Sequence, residues 1–190
     1  MIKRRVPLVS SLFAIAMLAI AVTANSISPT NPYRENSAAA QGGFEPKSYY
    51  RLTTQWQGDG KSLDVVNDGK NNDQLVLADT GDFSGQYWKF TPLEGGYYRL
   101  TTEWLGAGKS LDVVNDGKSN SQLILAKTGN FTGQYWKITR MGDGYYRLTT
   151  QWRGVGKSLD VVNDGKTNDQ LILANTANVS GQSWKITKVK

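Results

Sequence analysis

Three aspartates recur along the chain at a constant spacing, and their carboxylates are the groups best suited to chemistry. Asp64, Asp112 and Asp160 lie 48 residues apart, each between two apolar residues, as in Leu63-Asp64-Val65. Neighbouring side chains of a strand point to opposite faces, so Asp64 should point outward when Leu63 and Val65 point inward. A carboxylate only accepts hydrogen bonds, and its charge strengthens them. The chain therefore offers the same outward acceptor three times.

Further polar and aromatic residues recur after these aspartates. An asparagine follows each aspartate and can add hydrogen-bond donors: Asn67, Asn115 and Asn163. A later loop offers one polar acceptor and one aromatic ring in each of the first two copies: Asp82 and Phe83, then Asn130 and Phe131. The third copy loses the aromatic and a Gly from this loop, which reads Thr176-Ala177-Asn178-Val179. A binding site built on this loop should therefore be weakest in the third copy.

The composition excludes most kinds of catalytic and metal site. The chain has no His and no Cys, which removes the commonest general base, every Ser-His-Asp or Cys-His arrangement and both preferred zinc ligands. Glu occurs only at positions that do not recur in all three copies: Glu35, Glu45, Glu94 and Glu103. The segment from Asp64 to Gly69 lacks the ligand pattern of a calcium loop. We therefore predict that the protein is not an enzyme and needs no metal and no cofactor.

The first 47 residues differ in composition from the rest. Residues 1–24 have a basic start, an apolar stretch and small residues before Asn25, which is typical of a secretory signal peptide; an uncleaved membrane anchor is the alternative. Residues 25–47 contain few large apolar residues and predict a flexible leader. Cleavage predicts a secreted protein, extracellular or periplasmic, and contact with a membrane is expected only if the segment stays uncut.

The net charge does not indicate a nucleic-acid partner. The sequence has a formal charge of +6, and three basic residues leave with the signal peptide, so the mature chain carries about +3. This charge is mild and interspersed with Asp, whereas nucleic-acid-binding domains show strong basic patches. We predict no nucleic-acid binding.

Residues 49–190 contain three copies of one unit. The segment Tyr-Tyr-Arg-Leu-Thr-Thr begins at residues 49, 97 and 145, which defines repeats 49–96, 97–144 and 145–190. Each copy has four short segments of alternating apolar residues separated by Gly-rich or Asn/Asp-rich turns, which predicts four strands and no helix. Units of this length bury their apolar faces only against one another. The copies therefore predict one all-β domain over residues 48–190.

Two motifs recur once per copy and resemble a known family. A Gln-x-Trp triplet occurs at Gln86-Tyr87-Trp88, Gln134-Tyr135-Trp136 and Gln182-Ser183-Trp184, and Lys-Ser-Leu-Asp-Val precedes each triplet. Three copies are too few for a propeller and fit a β-trefoil or a β-prism. The motifs resemble those of the ricin-B-like β-trefoil lectins, close to the branch found in mushrooms and bacteria. The resemblance implies a β-trefoil of three four-stranded repeats with pseudo-threefold symmetry.

The resemblance also implies roles for the recurring residues. It implies that Asp64, Asp112 and Asp160 accept hydrogen bonds from sugar hydroxyls, and that the partners are glycans of the galactose or N-acetylgalactosamine type. The glutamines of the triplets are expected to satisfy backbone groups. Trp88 and its two counterparts should be core, because they alternate in phase with Phe90. The alternative for each Asp is a structural one, in which it ties down the Asn-Asp-Gly turn that follows.

Two positions depart from the family's pattern in every copy. The family usually has an aromatic platform on the third strand, where this chain has Ala78, Ala126 and Ala174. It usually has an Asn before the Gln of the triplet, where this chain has Gly85, Gly133 and Gly181. Either the sites are inactive or another part of the repeat supplies the stacking face.

A second aromatic set provides further candidate contacts. These residues lie in Gly-bounded loops after the first strand of each copy: Trp56, Trp104 and Trp152. Such a Trp is either an exposed stacking platform or a side chain that folds over the bottom of the barrel. Its variable neighbours favour a surface position, so we treat this set as second-choice contacts.

The features together favour a secreted, non-catalytic carbohydrate-binding protein with up to three repeat-related sugar sites that act by avidity. One alternative is a protein-binding β-trefoil, such as a protease inhibitor, although such a mechanism needs one distinctive loop and this chain has three similar ones. Another is a surface attachment protein whose sugar sites are lost.

Overall fold

A computed structural model describes residues 43–190 of the protein. The predicted signal peptide, 1–24, and the greater part of the predicted leader, 25–42, lie outside the described residues. Within residues 43–190, no helix is long and apolar enough to cross a membrane.

Strands form where the apolar residues alternate, four in each repeat. They are β1 (Tyr50–Thr54), β2 (Gly58–Val65), β3 (Leu75–Asp79), β4 (Trp88–Leu93), β5 (Tyr97–Thr102), β6 (Lys109–Val113), β7 (Leu123–Lys127), β8 (Trp136–Gly142), β9 (Tyr145–Thr150), β10 (Lys157–Val161), β11 (Leu171–Asn175) and β12 (Trp184–Lys188). The only helical segments in this part of the chain are three-residue 3₁₀ turns, such as Ser84–Gln86.

Six of the strands close into a barrel, and the other six form three hairpins. The barrel order is β1, β4, β5, β8, β9, β12, and β12 pairs antiparallel with β1 from Tyr50↔Lys188 to Thr54↔Trp184. The hairpins are β2–β3, β6–β7 and β10–β11, one in each repeat. This arrangement is an all-β trefoil of three four-stranded repeats, and the predicted fold is confirmed.

The Trp of each triplet joins the barrel to its hairpin. Trp88, Trp136 and Trp184 are fully buried at 0% exposure, as predicted for core residues. The indole Nε1 of Trp88 donates to the Leu63 carbonyl oxygen at 2.9 Å, and the other two copies repeat this bond. A buried indole needs such a partner, so each Trp fixes β2, β6 or β10 against the barrel.

The three hairpins also hold one another around the pseudo-threefold axis. The Leu77 amide donates to the Asp169 carbonyl at 2.8 Å, and two equivalent bonds complete the ring: Leu125 to Asp73 and Leu173 to Ser121. Each hairpin of one repeat therefore contacts a hairpin of another, which keeps the outward faces of the strands in fixed positions.

Phe44 closes the barrel end at which the first and last strands begin and end. Its ring stacks on Phe90 with centroids 4.3 Å apart and meets Tyr50 and Tyr98 edge-on, while Tyr146 lies 6.0 Å away. The Glu45 amide donates to the Tyr50 hydroxyl at 2.8 Å. The packed domain therefore begins a few residues before the predicted boundary at residue 48. Phe90, on which Phe44 stacks, corresponds to Ile138 and Ile186, so only the first copy supplies an aromatic ring at this position.

Candidate functional site

Each repeat carries one concave pocket on the outer surface of the trefoil, beside its recurring Asp. Pocket I lies beside Asp64 and measures about 510 Å³. Pocket II lies beside Asp112 and measures about 580 Å³, and pocket III lies beside Asp160 and measures about 320 Å³. The hairpin supplies one wall, and the loop before the Gln-x-Trp triplet supplies another.

The structure brings all of the predicted site residues to these pockets. Pocket I contains Asp64, Asn67, Asp82, Phe83 and Trp104. Pocket II contains Asp112, Asn115, Asn130, Phe131 and Trp152. Pocket III contains Asp160, Asn163 and Trp56. The sequence analysis placed these residues in separate sets, and the structure joins them.

Each pocket is shared between two repeats, because its Trp comes from the next copy in the ring. Trp104 of the second repeat lines pocket I, and Trp56 of the first repeat lines pocket III. A backbone bond fixes this contact: the Trp104 amide donates to the Ser84 carbonyl at 3.2 Å, with equivalents at Trp152 and Trp56. These tryptophans are half-buried and pack against the edge of the core. They are thus neither fully exposed tips nor covers over the barrel end.

The recurring Asp is half-buried and already holds two hydrogen bonds. Asp64 Oδ2 accepts from Gln86 Nε2 at 2.9 Å, and Oδ1 accepts from the Val65 amide at 2.7 Å. Burial raises the pKa of Asp64, although these two bonds lower it in part. Asp112 has the same partners in its own repeat, and burial raises its pKa likewise. The carboxylate therefore helps to build the pocket and keeps only part of its acceptor capacity for a ligand.

The Gln of each triplet links the pocket loop to the hairpin, as predicted for a residue that satisfies backbone groups. Gln86 is fully buried; its Nε2 also donates to the Asp79 carbonyl at 2.8 Å, and its Oε1 accepts from the Gly81 amide at 3.0 Å. The same three bonds occur around Gln134 and Gln182. The position of the loop is therefore the same in all three repeats.

Asp68, and not Asp64, holds the Asn-Asp-Gly turn. The structural alternative, in which Asp64 ties down this turn, is therefore wrong. Asp68 Oδ1 accepts from the backbone amides of Lys70 and Asn71 at 2.8 and 2.6 Å. These bonds lower the pKa of Asp68, and Asp116 and Asp164 show the same lowering from the same cause. The Asn-Asp-Gly turn is thus self-contained, and Asp64 bonds to the triplet Gln instead.

The aromatic of the pocket loop is exposed in pockets I and II. Phe83 and Phe131 each have 59% of their surface exposed. The Phe83 ring lies over Gly81. A Cβ atom at residue 81 would collide with the ring, so Phe in this position requires Gly at residue 81. Arg51 holds the loop in place, because its Nη2 donates a hydrogen bond to the Gly81 carbonyl at 2.6 Å.

Pocket III lacks this aromatic and is the smallest of the three. Val179 takes the place of Phe, and Ala177 takes the place of Gly. Without a ring over residue 177, an Ala methyl group is accommodated there. The loss of both residues in the third copy is thus a single structural change.

The pockets combine an apolar wall with a polar rim. In pocket I, Phe83, Trp104 and Val76 form the apolar wall, and Asp64, Asn67 and Asp82 supply polar atoms. This combination suits a small ligand that has one apolar face and several hydroxyl groups. Val76 is not among the predicted site residues. It lies two residues before Ala78 on β3, and side chains two residues apart on a strand point to the same face, so both line the pocket.

A family comparison matches part of the trefoil. Residues 84–175 match the family described as ricin-type beta-trefoil lectin domain-like. The resemblance to the ricin-B-like β-trefoil lectins is confirmed. No curated protein matches the chain. This match supports carbohydrate binding.

Solved structures share the fold of this lectin-like domain. The designed threefold-symmetric protein ThreeFoil is 28% identical, with a TM-score of 0.64, and the match covers 74% of this chain and 99% of that one. An exo-beta-1,3-galactanase from Clostridium thermocellum is 26% identical, with a TM-score of 0.63 and coverage of 77% and 31%. SeviL bound to asialo-GM1 saccharide is 19% identical, with a TM-score of 0.55 and coverage of 75% and 98%, and shows the fold alone. The match spans less than a third of the galactanase.

The lectin-like domain departs from the ricin-type pattern for a steric reason. A Cβ atom at Gly85 would collide with Asp64 Oδ1, and Gly133 and Gly181 lie in the same way against Asp112 and Asp160. The Asn usual at this position therefore does not fit while the Asp bonds to its neighbouring amide. Ala78, where the family has its platform, leaves the wall of pocket I open to Trp104. The aromatic side chains that line pocket I are instead Trp104 and Phe83.

Proposed function

We propose that the protein is a secreted, non-catalytic lectin whose pockets I, II and III bind sugar residues of a glycan. The observation that carries this proposal is the convergence of a recurring Asp, an Asn and a Trp in every pocket, with an exposed Phe added in pockets I and II. An exposed aromatic beside polar acceptors is the surface that a sugar ring requires, because its C–H face packs on the ring while its hydroxyls form hydrogen bonds.

In pocket I, the sugar ring packs against Phe83 and Trp104, which stand on two different loops. Asn67 offers both a donor and an acceptor, and Asp64 accepts from a hydroxyl with the lone pairs that Gln86 and Val65 leave free. Asp82 is engaged by the Tyr87 hydroxyl at 2.8 Å and accepts a further bond at the rim. The aromatic pair supplies most of the apolar contact, and the polar groups select the orientation of the hydroxyls.

Three pockets around one axis favour binding to a surface that displays many glycans. A single shallow pocket binds weakly, whereas simultaneous occupation of several pockets raises the apparent affinity by about 10² to 10⁴ where the geometry permits. Pockets I and II contribute most of this avidity, because pocket III has lost the exposed aromatic.

The proposed ligand class is galactose or N-acetylgalactosamine. The names of two structural neighbours are consistent with it, since one is an exo-beta-1,3-galactanase and another a GlcNAcα1-4Gal-releasing endo-beta-galactosidase. The proposal of secretion rests on the signal-like sequence of residues 1–24. Extracellular or periplasmic glycans are the corresponding targets.

A glycan array tests the proposal directly. The chain from Asn25 to Lys190 and its Phe83→Ala/Phe131→Ala variant are screened side by side, together with a Val155→Ala control. Both Phe residues are exposed, so their removal should leave the thermal unfolding temperature nearly unchanged, and Val155 is 83% exposed and lines none of the three pockets. We expect the control to bind as the parent does and the double variant to lose most binding.

Two outcomes would count against the proposal. If the parent chain binds no glycan, the protein is not an active lectin, and a protein partner becomes the next hypothesis. If the double variant binds glycans as well as the parent, sugar binding occurs elsewhere on the trefoil and these pockets are not the sites.

A further inference from the structure

Pockets I and II share one frame, which is the hydrogen-bonded arrangement of the recurring Asp, the triplet Gln and the pocket loop, but they differ in charge at their rims. Three positions in or beside these pockets differ in charge, and at each of them pocket II has the residue that is more positive by one charge. The pairs, with pocket I first, are Glu103 and Gln151, Asp82 and Asn130, and Leu105 and Arg153. The first and third pairs flank the tryptophan of the pocket, and the second lies in the loop that carries the phenylalanine.

The cationic groups near pocket I are paired with carboxylates. Arg51 Nη2 lies 3.6 Å from Asp82 Oδ1, and Lys190 Nζ lies 2.9 Å from Glu103 Oε2. These pairs leave little positive charge for a ligand. Pocket I is therefore suited to a neutral sugar.

The guanidinium groups near pocket II have no such partners. Arg99 donates to the Gly129 carbonyl at 2.7 Å, and the neighbouring side chain is the neutral Asn130. The Arg153 guanidinium carbon lies 5.0 Å from the centroid of the Trp152 ring, so its charge stands beside a side chain that lines the pocket. Among residues 43–190, neither arginine forms an ion pair with a carboxylate.

The carboxylates that remain at pocket II do not remove this difference. Asp112 and Asp116 line the pocket, but their counterparts Asp64 and Asp68 occupy the same places in the first repeat. Both repeats carry this pair of carboxylates, so the pair adds no difference in formal charge between the repeats. Because Lys190 balances the charge of Glu103, the comparison rests on the other two positions, where Asp82 is replaced by Asn130 and Leu105 by Arg153.

We propose that pocket II binds sugars that carry a negative charge, a carboxylate or a sulfate group, whereas pocket I binds neutral sugars. The inference rests on the proposed lectin function and assigns a ligand class to two of its sites. Arg153 is the residue that determines the preference, because it places a positive charge beside Trp152 of pocket II, whereas the other two copies have Leu105 and Gln57 at this position.

The expected preference is modest and depends on salt. A single exposed charge changes affinity by roughly two- to fivefold. Raising the ionic strength from about 0.01 M to about 1 M shortens the screening length from about 30 Å to about 3 Å, so the preference should largely disappear.

The test isolates one pocket at a time. Phe83→Ala should abolish sugar binding at pocket I and keep binding at pocket II. Phe131→Ala should abolish binding at pocket II and keep binding at pocket I. Each variant is applied to an array that prints neutral glycans beside their sialylated, sulfated and uronate-terminated forms. We expect the Phe83→Ala protein to prefer the anionic member of a pair, and the Phe131→Ala protein to prefer the neutral member.

Exchange of residues between copies then tests the role of Arg153. Adding Arg153→Leu or Arg153→Gln to Phe83→Ala installs the residue that the second or first copy has at this position, so both should fold. We expect either change to lower the anionic preference by roughly two- to fivefold. Leu105→Arg in the Phe131→Ala protein should raise that preference by a similar factor.

The outcomes separate this inference from the proposed function. Binding to no glycan by any protein overturns both. Glycan binding with equal affinity for neutral and anionic members in both single-pocket variants overturns the charge inference and leaves the lectin function standing. A preference for carboxylated but not sulfated forms, or the reverse, supports the inference and identifies the anionic group.

Discussion

Pocket III differs from pockets I and II in its loop, although the frame beneath it is the same. Gln182 makes the same three hydrogen bonds as Gln86, and Asp160 bonds to the Val161 amide as Asp64 does to Val65. Yet pocket III measures about 320 Å³ against about 510 Å³ for pocket I. The comparison shows that the frame and the contact surface of a repeat vary independently, so a copy can lose its ligand contacts while it keeps its place in the fold.

The largest effect should come from breaking the frame that the pockets share. Gln86→Ala leaves Asp64 Oδ2, the Gly81 amide and the Asp79 carbonyl without their partner, which costs about 1 to 3 kcal/mol of unfolding free energy. Gln182→Ala should cost the same, because its surroundings are the same. Denaturant unfolding of both variants measures this. A much smaller loss for Gln182→Ala would mean that the third frame is weaker as well.

The sharing of each tryptophan between repeats predicts the next effect. Trp104→Ala should weaken pocket I, although Trp104 belongs to the second repeat, and should leave pocket II intact. An aromatic contact contributes about 0.5 to 1.5 kcal/mol, so affinity at pocket I should fall by roughly 2- to 13-fold. Chemical-shift titration with a bound sugar resolves the pockets. Trp56→Ala is the matched control, since it removes an equivalent side chain from pocket III.

A smaller effect is expected from rebuilding pocket III. The double change Ala177→Gly/Val179→Phe restores the residues of the first two copies and should add an exposed aromatic to the pocket. Val179→Phe alone should give less, because the ring would collide with the Ala177 methyl group. We expect the double variant to bind multivalent glycan surfaces more tightly than either single variant. Additive effects of the two single changes would contradict the coupling.

The smallest effect concerns the turns, which are alike in all three repeats. Their aspartates have lowered pKa values, so they stabilise the fold above the ordinary Asp pKa of about 4, and this contribution is lost as the pH falls through the lowered values. Asp68→Asn, Asp116→Asn and Asp164→Asn should each flatten the loss of stability below about pH 4 by a similar amount. Unfolding measured at a series of acidic pH values checks this. The raised pKa values of Asp64 and Asp112 act in the opposite direction and remain unchanged in these variants.

The sequence carries the fold more clearly than the site. The constant spacing and the alternation around Trp88 suffice to predict twelve strands and three-fold closure, because both follow from local residue patterns. The sequence does not predict that Trp104 and Phe83 line the same pocket, because this depends on the order of the repeats around the axis. The bonds of Asp64 to Gln86 and to its own neighbouring amide likewise depend on atomic geometry. The packing of Phe44 could not be predicted either, because its partners Phe90, Tyr98 and Tyr146 are distant in sequence and the composition of residues 25–47 predicts a flexible leader.

Pocket III lies where the barrel closes, so a ligand bound there should affect the stability of that closure. Trp56 comes from the first repeat and the rest of the pocket from the third, so the pocket spans the seam where β1 meets β12 and the barrel closes. A ligand that binds only the closed form stabilises it, and the stabilisation grows with the logarithm of the free ligand concentration once that concentration exceeds the Kd. Sugar bound there should therefore slow hydrogen exchange of the amides in β1 and β12, even though the pocket has the weakest contacts of the three.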